Sequence, residues 1–368
     1  MSLAIIALGS SVPPTRLTQD ESLRVARAVC CRTEEQSSWL PGLYNGAGIS
    51  SRAFAFERSV IGDILDGTRH SRSPFLPNGS GGGRGPTTGQ RMQHYREQAP
   101  RLARDAARAA LEHSSRSAKQ ITHLVTVSCT GFYAPGVDVA LVKTLGLRPD
   151  VARTHIGFMG CHGALNGLRV ARGFAASDAG ACILLCAVEL CGLHYHYQWD
   201  PQKMVANALF ADGAAALIGV PEPSAPTGAW RVAASGACVF DDSEDAMTWT
   251  IGDYNFEMSL SKRVPGLIAR HLPPWLASWL GHHDLKIEQI ASWAVHPGGP
   301  RILAAVEASL GLGNEALADS KAVLAECGNM SSPTLLFILD RLRKRDAPRP
   351  CVALGFGPGL AAEAVLFR

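Results

Sequence analysis

The sequence predicts a layered α/β fold on three observations. Short apolar runs alternate with helical patterns along most of the chain. Two of those runs, 181–188 and 214–218, are apolar without alternation, as for strands buried on both faces. The rhythm of strand, glycine turn and helix recurs in both halves, which suggests an internal duplication. A boundary at 220 then divides the chain into an N-terminal half, 1–220, and a C-terminal half, 221–368.

The opening run to Gly9 is apolar, lacks a basic flank and breaks at Gly9 and Pro13, so it reads as a first strand and not a leader peptide. Helical segments follow to about residue 60. Residues 68–90 read as the least ordered stretch, with a glycine-rich surface loop over 78–86. From Met92 the pattern is helical, with Leu102, Ala106, Ala109 and Ala110 on one face. Residues 124–128 form a strand ending at Cys129, and 137–145 a helix stopped by Gly146. A strand over 154–159 leads into Gly160-Cys161-His162-Gly163, and the next helix presents Ala164, Leu168, Ala171 and Ala175 on one face. Phe210-Ala-Asp-Gly opens the second fully buried strand. In the second half, 293–296 is a strand ending at Gly298-Gly299-Pro300, with a helix from about 301 to 310. Gly328-Asn329-Met330-Ser331-Ser332 is a turn, and Pro333 stands in the first turn of a helix ending near Lys344. Residues 351–354 run as a strand into Gly355-Phe-Gly-Pro-Gly359, and 364–367 close the chain.

Composition narrows the function. Hydrophobic residues make up 46%, enough for a sizeable core. A net charge of +3, from 35 basic and 32 acidic residues, argues against nucleic-acid or membrane-surface binding. No run approaches the ~20 apolar residues of a membrane span, so the expected setting is soluble and cytoplasmic. The ten cysteines form no CxxC pair and no regular framework, and read mostly as buried free thiols. No Cys/His spacing suggests a metal.

Three residues carry candidate chemistry. Cys161 follows a strand and a glycine and opens a helix, where the unpaired N–H groups favour a thiolate; a buried cysteine in a tight turn accounts for the spacing equally well. His296 ends a strand beside a glycine turn, placed to pair with a thiolate and donate to an oxyanion, or simply to hydrogen-bond within the turn. Asn329 precedes a helix, as a capping residue does, or as an amide that polarises a carbonyl.

Taken together, the wording is more specific. Gly-Phe-Met-Gly-Cys161, Val-His296-Pro-Gly-Gly-Pro, Gly-Asn329-Met-Ser-Ser and Gly-Phe-Gly-Pro-Gly359 occur in this order, with Val188-Glu189-Leu-Cys191 and Leu-Phe210-Ala-Asp-Gly between them. The set resembles the type III polyketide synthases, the chalcone- and stilbene-synthase-like family, well over 90–368 and loosely before. That resemblance implies a thiolase-type αβαβα fold, a homodimer and no bound cofactor. It implies that Cys161 accepts an acyl group from coenzyme A, while His296 and Asn329 hold the thioester oxygen of malonyl-CoA during decarboxylation. It also implies a Cys161–His296 ion pair. Phe210 matches the family's gate between the CoA tunnel and the cavity; without the match, core packing explains it. Phe356 and Pro358 belong with the cavity residues.

Several positions depart from the plant pattern. Cys129, Cys191 and His194 stand where threonines line the plant cavity, Met258 stands at the second gate phenylalanine, and Ala134 replaces a methionine that lends a wall to the partner subunit's cavity. These changes, and the wording near residues 90, 129 and 189, resemble bacterial alkylresorcinol- and alkylpyrone-forming members, which points to a fatty acyl starter in an apolar tunnel. Ser331 reads as a cavity-tuning residue or a helix cap. Arg52 and Arg301, with Gly298 and Gly299, are the candidates for binding CoA phosphates, against solvated arginines as the plainer reading. Competing readings are an aromatic-starter synthase, a ketoacyl-carrier-protein synthase of the initiation type, a Cys–His hydrolase and a partner subunit without turnover.

Overall fold

The computed structural model describes residues 2–77 and 83–368. Residues 78–82 of the expected glycine-rich loop lie outside them. The chain opens with β1 (Leu3–Ser11), β2 (Thr15–Thr18), α1 (Gln19–Cys30), α2 (Glu34–Asn45), β3 (Ser51–Phe54) and α3 (Arg58–Asp66). The long α4 (Thr88–Ser114) precedes β4 (His123–Ser128), α5 (Val137–Leu145), β5 (Ala152–Gly157), α6 (Gly163–Ser177), β6 (Ile183–Leu190), α7 (Pro201–Leu209) and β7 (Asp212–Pro221). Then come β8 (Trp230–Val239), β9 (Met247–Ile251), β10 (Phe256–Leu260), α8 (Val264–Gly281), β11 (Ser292–Val295), α9 (Pro300–Leu310), α10 (Ala318–Cys327), α11 (Ser332–Lys344), β12 (Cys351–Gly357) and β13 (Ala361–Phe367).

The strands join in the order β11-β12-β13-β8-β1-β7-β6-β4-β5. The two halves of this sheet meet only where β1 pairs with β8, through Leu3, Ala4 and Ile5. Side-chain alternation shows what covers each face. In β6, Leu184, Cys186, Val188 and Leu190 pack with α1–α4, while Ile183, Leu185 and Ala187 pack with α6 and α11. In β12, Cys351 and Ala353 face that same central pair of helices, while Val352, Leu354 and Phe356 face α8 and α9. Three cores therefore separate five layers, helix–strand–helix–strand–helix, and α6 and α11 are buried between the two halves of the sheet. The thiolase-like architecture is the one expected.

Some local boundaries differ from expectation. The α4 helix starts at Thr88, four residues before the expected start, because Thr87 and Gln90 make a reciprocal capping box. Its buried face is Ala99, Leu102, Ala103, Ala106, Ala107 and Ala110; Ala109 is only half-buried. The small side chains let the helix backbone ride on β1 at Gly9. A Cβ at Gly9 falls inside contact distance of the Ala106 carbonyl and the Ala110 nitrogen. The hairpin β9–β10, which aligns Met258 with Trp249, is not among the expected elements, although Met-Thr-Trp-Thr-Ile and Phe-Glu-Met-Ser-Leu both alternate apolar and polar residues as strands do.

Gly9→Ala is expected to destabilise the protein by about 1–3 kcal/mol, since neither strand nor helix backbone has room to yield. Urea unfolding measures it; a loss below about 0.5 kcal/mol, the range of a neutral surface change, would show that α4 is not held this close.

Candidate active site

Cys161 is placed by strain and clamping. After β5 the chain turns through Phe158 at φ 60 and Gly160 at φ 76, then a short 3-10 turn, Gly160–His162, runs straight into α6. A side-chain residue at positive φ persists only where its surroundings over-determine it. Here Pro358 closes on Gly160 from the loop after β12. The next residue, His162, is clamped as well. Its Nδ1 lies 2.8 Å from Asn166 Oδ1, and Asn166 Nδ2 donates to Glu363 Oε1 at 2.9 Å. Glu363 in turn pairs with Arg169. Because the Asn166 amide gives its N–H to a carboxylate, its oxygen faces His162, so His162 donates from Nδ1.

His296 continues the parallel pairing of β11 with β12, its N–H reaching the Leu354 carbonyl at 2.8 Å. Its ring is 1% exposed, and neither ring nitrogen has a hydrogen-bond partner among the described residues. Asn329 is reached by a short bridge to Phe210: Asn329 N donates to Leu209 O, and Ala211 N to Asn329 O, both at 2.9 Å. The Ser331 N–H donates to Asn329 Oδ1 at 2.8 Å, which commits the amide oxygen and leaves its NH2 for the site. Ser331 itself sits at φ 57. Its hydroxyl lies 3.4 Å from Cys129 Sγ, and Ser331 also pulls the Cys161 thiol down.

Two compartments meet at Cys161. The outer one is lined by His296, Asn329, Gly298, Ile302 and Phe356; the inner one by Cys129, Cys191, His194, Trp249, Ser331 and Pro358. Phe210 and Met258 border both, as do Ala206 and Met247. The inner compartment touches a further apolar chamber along Phe54, Gly192 and Tyr195, walled by Val25, Val60, Ile61 and Ile64. His194 is wall and not reagent: its Nε2 meets Thr130 O at 2.7 Å, its Nδ1 accepts from Phe256 N at 3.0 Å, and its ring stacks on Phe256.

Burial governs the electrostatics. It pushes the Cys161 thiol up to about 11, reinforced by the Glu189 charge, although Ser331 and Asn329 pull the other way. It pushes His296 and His194 down to about 3. Cys161 and His296 face one compartment without a hydrogen bond between them among the described residues, and burial opposes a charge on either. Desolvation outweighs the helix N-terminus that favours a thiolate.

Other expectations are also corrected. Arg52 does not stand at a tunnel mouth. It is 1% exposed, because the β2–β3 pairing turns it inward, and its Nη1 donates to Asn207 O and Phe210 O at 2.7 and 2.8 Å. Gly299 lies behind the compartment against Leu209, while Gly298 lines it. Arg301 is exposed in the first turn of α9 beside them. Ala134 is exposed and does not border this chain's own compartments.

The sequence reading gave Glu189 no role. It is fully buried and accepts from Thr130 Oγ1 and Ser332 Oγ at 2.6 Å and from the Cys129 and Thr130 N–H groups at 3.0 and 3.1 Å. Burial raises its carboxyl while these donors lower it. The signal available was an acid inside the apolar run of β6.

Comparison with known proteins agrees with this geometry. Residues 81–223 match the N-terminal domain of chalcone and stilbene synthases, and 232–368 the C-terminal domain. The chain is 36% identical over 289 residues to the alpha-pyrone synthesis polyketide synthase-like Pks18 of Mycobacterium tuberculosis, covering 76% of this chain and 73% of that one. It is 31% identical to the 1,3,6,8-tetrahydroxynaphthalene synthase of Streptomyces peucetius, covering 99% and 93%. The crystal structure of PKS-I from the brown alga Ectocarpus siliculosus superposes with a TM-score of 0.92 at 34% identity, covering 100% and 98%. Strained cysteine elbow, buried imidazole and bridged asparagine thus stand in a chain that belongs to the chalcone and stilbene synthase family, the type III polyketide synthases, and is an acyltransferase.

Proposed function

We propose that this enzyme loads a fatty acyl group from coenzyme A onto Cys161, extends it with malonyl-CoA and closes the product to a pyrone or resorcinol, without a bound cofactor. One observation carries this reading: Cys161 stands between an outer compartment holding His296 and Asn329 and an apolar inner one that leads toward a second apolar chamber. The alpha-pyrone relative favours the pyrone.

The roles follow from the geometry. In loading, His296 takes the Cys161 proton as the sulfur attacks the thioester carbonyl, and that proton leaves with the CoA thiol. Neutral resting partners suit this transfer, since neither holds an uncompensated charge while the site is empty. In extension, the malonyl C–C bond breaks, CO2 departs and the electron pair moves onto the thioester oxygen. The Asn329 NH2 and a His296 N–H hold that enolate, in a site too dry for water to compete. The enolate carbon then attacks the Cys161 thioester, which releases the Cys161 sulfur for the next round. Arg301, exposed beside Gly298, meets the CoA phosphates in this scheme. The enzyme works as a homodimer in the same reading, supported by the exposed Met159 and Val239 around one apolar recess beside the cysteine elbow.

Two experiments test it. Cys161→Ala is expected to give no acyl-enzyme and no product with any starter while malonyl-CoA decarboxylation persists; Asn329→Ala is expected to slow decarboxylation about 100-fold. Mass spectrometry of the protein and CO2 release measure these, and product formation by Cys161→Ala sinks the nucleophile. Ile61→Trp, which fills the second chamber, is expected to reduce kcat/KM for long fatty acyl-CoA starters by about tenfold or more and leave short starters unchanged. An unaltered starter profile removes that chamber from the acyl path.

A further inference from the structure

We propose that Arg52 is a positioning residue for malonyl decarboxylation, setting the place of the Asn329 amide through the Phe210 carbonyl. The proposal rests on the assignment of Asn329 to the enolate.

The connection runs through peptide groups. The Arg52 guanidinium donates to the Phe210 carbonyl at 2.8 Å. The N–H on the other side of that peptide bond, at Ala211, donates to the Asn329 carbonyl at 2.9 Å. The following N–H, at Met330, donates to Thr334 Oγ1 at 2.9 Å in the first turn of α11. Each peptide group in such a series polarises the next, and a charged donor at its head makes the effect larger. A cation thus anchors the bridge that carries Asn329.

The stem of the same side chain acts on the residue before the asparagine. Gly328 has φ 73, and a Cβ there would come within 2.8 Å of Arg52 Cγ and 2.9 Å of Cδ. Arg52 occupies the space that any side chain at 328 would need, so arginine stem and Asn329 backbone are packed face to face. The head is held over the Phe54 ring, 5.2 Å from its centroid, and a second carbonyl, that of Asn207, fixes its direction. Burial lowers the guanidinium pKa, opposed by Tyr44, Tyr195 and Asp212. Phe210 belongs to the gate and Asn329 to the enolate site, so one buried side chain sets the spacing between the two.

Arg52→Met keeps the stem and removes the donors; Arg52→Lys keeps a charge and a nitrogen able to serve both carbonyls, but on a side chain one bond shorter than the path to Nη1 and without the planar head over Phe54. Malonyl-CoA decarboxylation without starter is expected to fall in kcat by about tenfold or more in Arg52→Met and by less in Arg52→Lys, because small misplacements of a positioned group act on the rate. The KM for malonyl-CoA and the rate of acyl-enzyme formation on Cys161 are expected to stay within about twofold. Decarboxylation and loading that fall in parallel would reduce Arg52 to a general fold residue and overturn the proposal, as would wild-type decarboxylation in Arg52→Met. Asn329→Ala in the same assay separates the two readings. If decarboxylation survives that substitution, the enolate assignment fails and the proposal with it; if only Arg52→Met is silent, the assignment stands. Should the Arg52 variants not fold, Gly328→Ala presses on the same stem from the other side, and equal loss of loading and decarboxylation there overturns the proposal.

Discussion

Desolvation is the constraint on which this site depends. Cys161, His296 and Asn329 are all at least nine-tenths buried, in a place where a separate charge is expensive and a hydrogen bond to a developing charge is strong. Burial accordingly raises the thiol and lowers the imidazole, which disfavours a charge on either. Charge is then expected only when a substrate carbonyl arrives to receive it. The same constraint explains Glu189. A carboxylate so close to three cysteines survives because hydroxyls of Thr130 and Ser332 and two backbone N–H groups surround it, and removing any of these donors would leave the acid short of a partner.

The five-layer architecture is what makes such burial possible. The α6 and α11 helices lie between two halves of a sheet, so residues at their N-termini are covered from both sides. Cys161 enters at the start of α6 and Asn329 just before α11, and His296 arrives from the end of β11. Each half of the duplicated pattern thus contributes a strand end or helix start to one point. No single local motif could have assembled the three.

The elements that meet at this point were largely legible in the sequence. The runs at 181–188 and 214–218 are unbroken because both faces of β6 and β7 are covered, and the glycine turns mark where strand gives way to helix. What remained hidden depends on contacts distant in the chain. Arg52 sits in a polar dipeptide, Ser51-Arg52, that looks like surface; only its pairing with Leu17 across β2 and β3 turns it inward. Glu189 was visible as an acid in an apolar run, yet its donors come from residues about 60 and 143 positions away. The hairpin of β9 and β10, which carries Trp249 and Met258 to the cavity, was legible as two five-residue runs of alternating apolar and polar residues, but which face meets the cavity depends on contacts of Trp249 and Phe256 with the distant His194. The environment of Cys161 is only half legible for a different reason: helix position is local, whereas desolvation depends on the whole enclosure.

In the proposed reading, the two compartments divide the chemistry from the choice of substrate. On the outer side, the groups facing Cys161 are tied to backbone: Asn329 by the bridge to Phe210 and by Ser331 N–H, His296 by its place at the end of β11. Changing them alters the reaction. On the inner side, Cys129 and Cys191 are small and polarisable, and Met258 is flexible, so the cavity adapts without disturbing the elbow. His194, although an imidazole, belongs with the inner wall, because Thr130 and Phe256 occupy both of its nitrogens. In the proposed reading, starter size depends on how far the apolar space extends past Gly192, where even a methyl group would strike Phe54. Phe54, Gly192 and Tyr195 border both the space beside the nucleophile and the chamber beyond it, so in that reading chain length and catalytic rate respond to different residues.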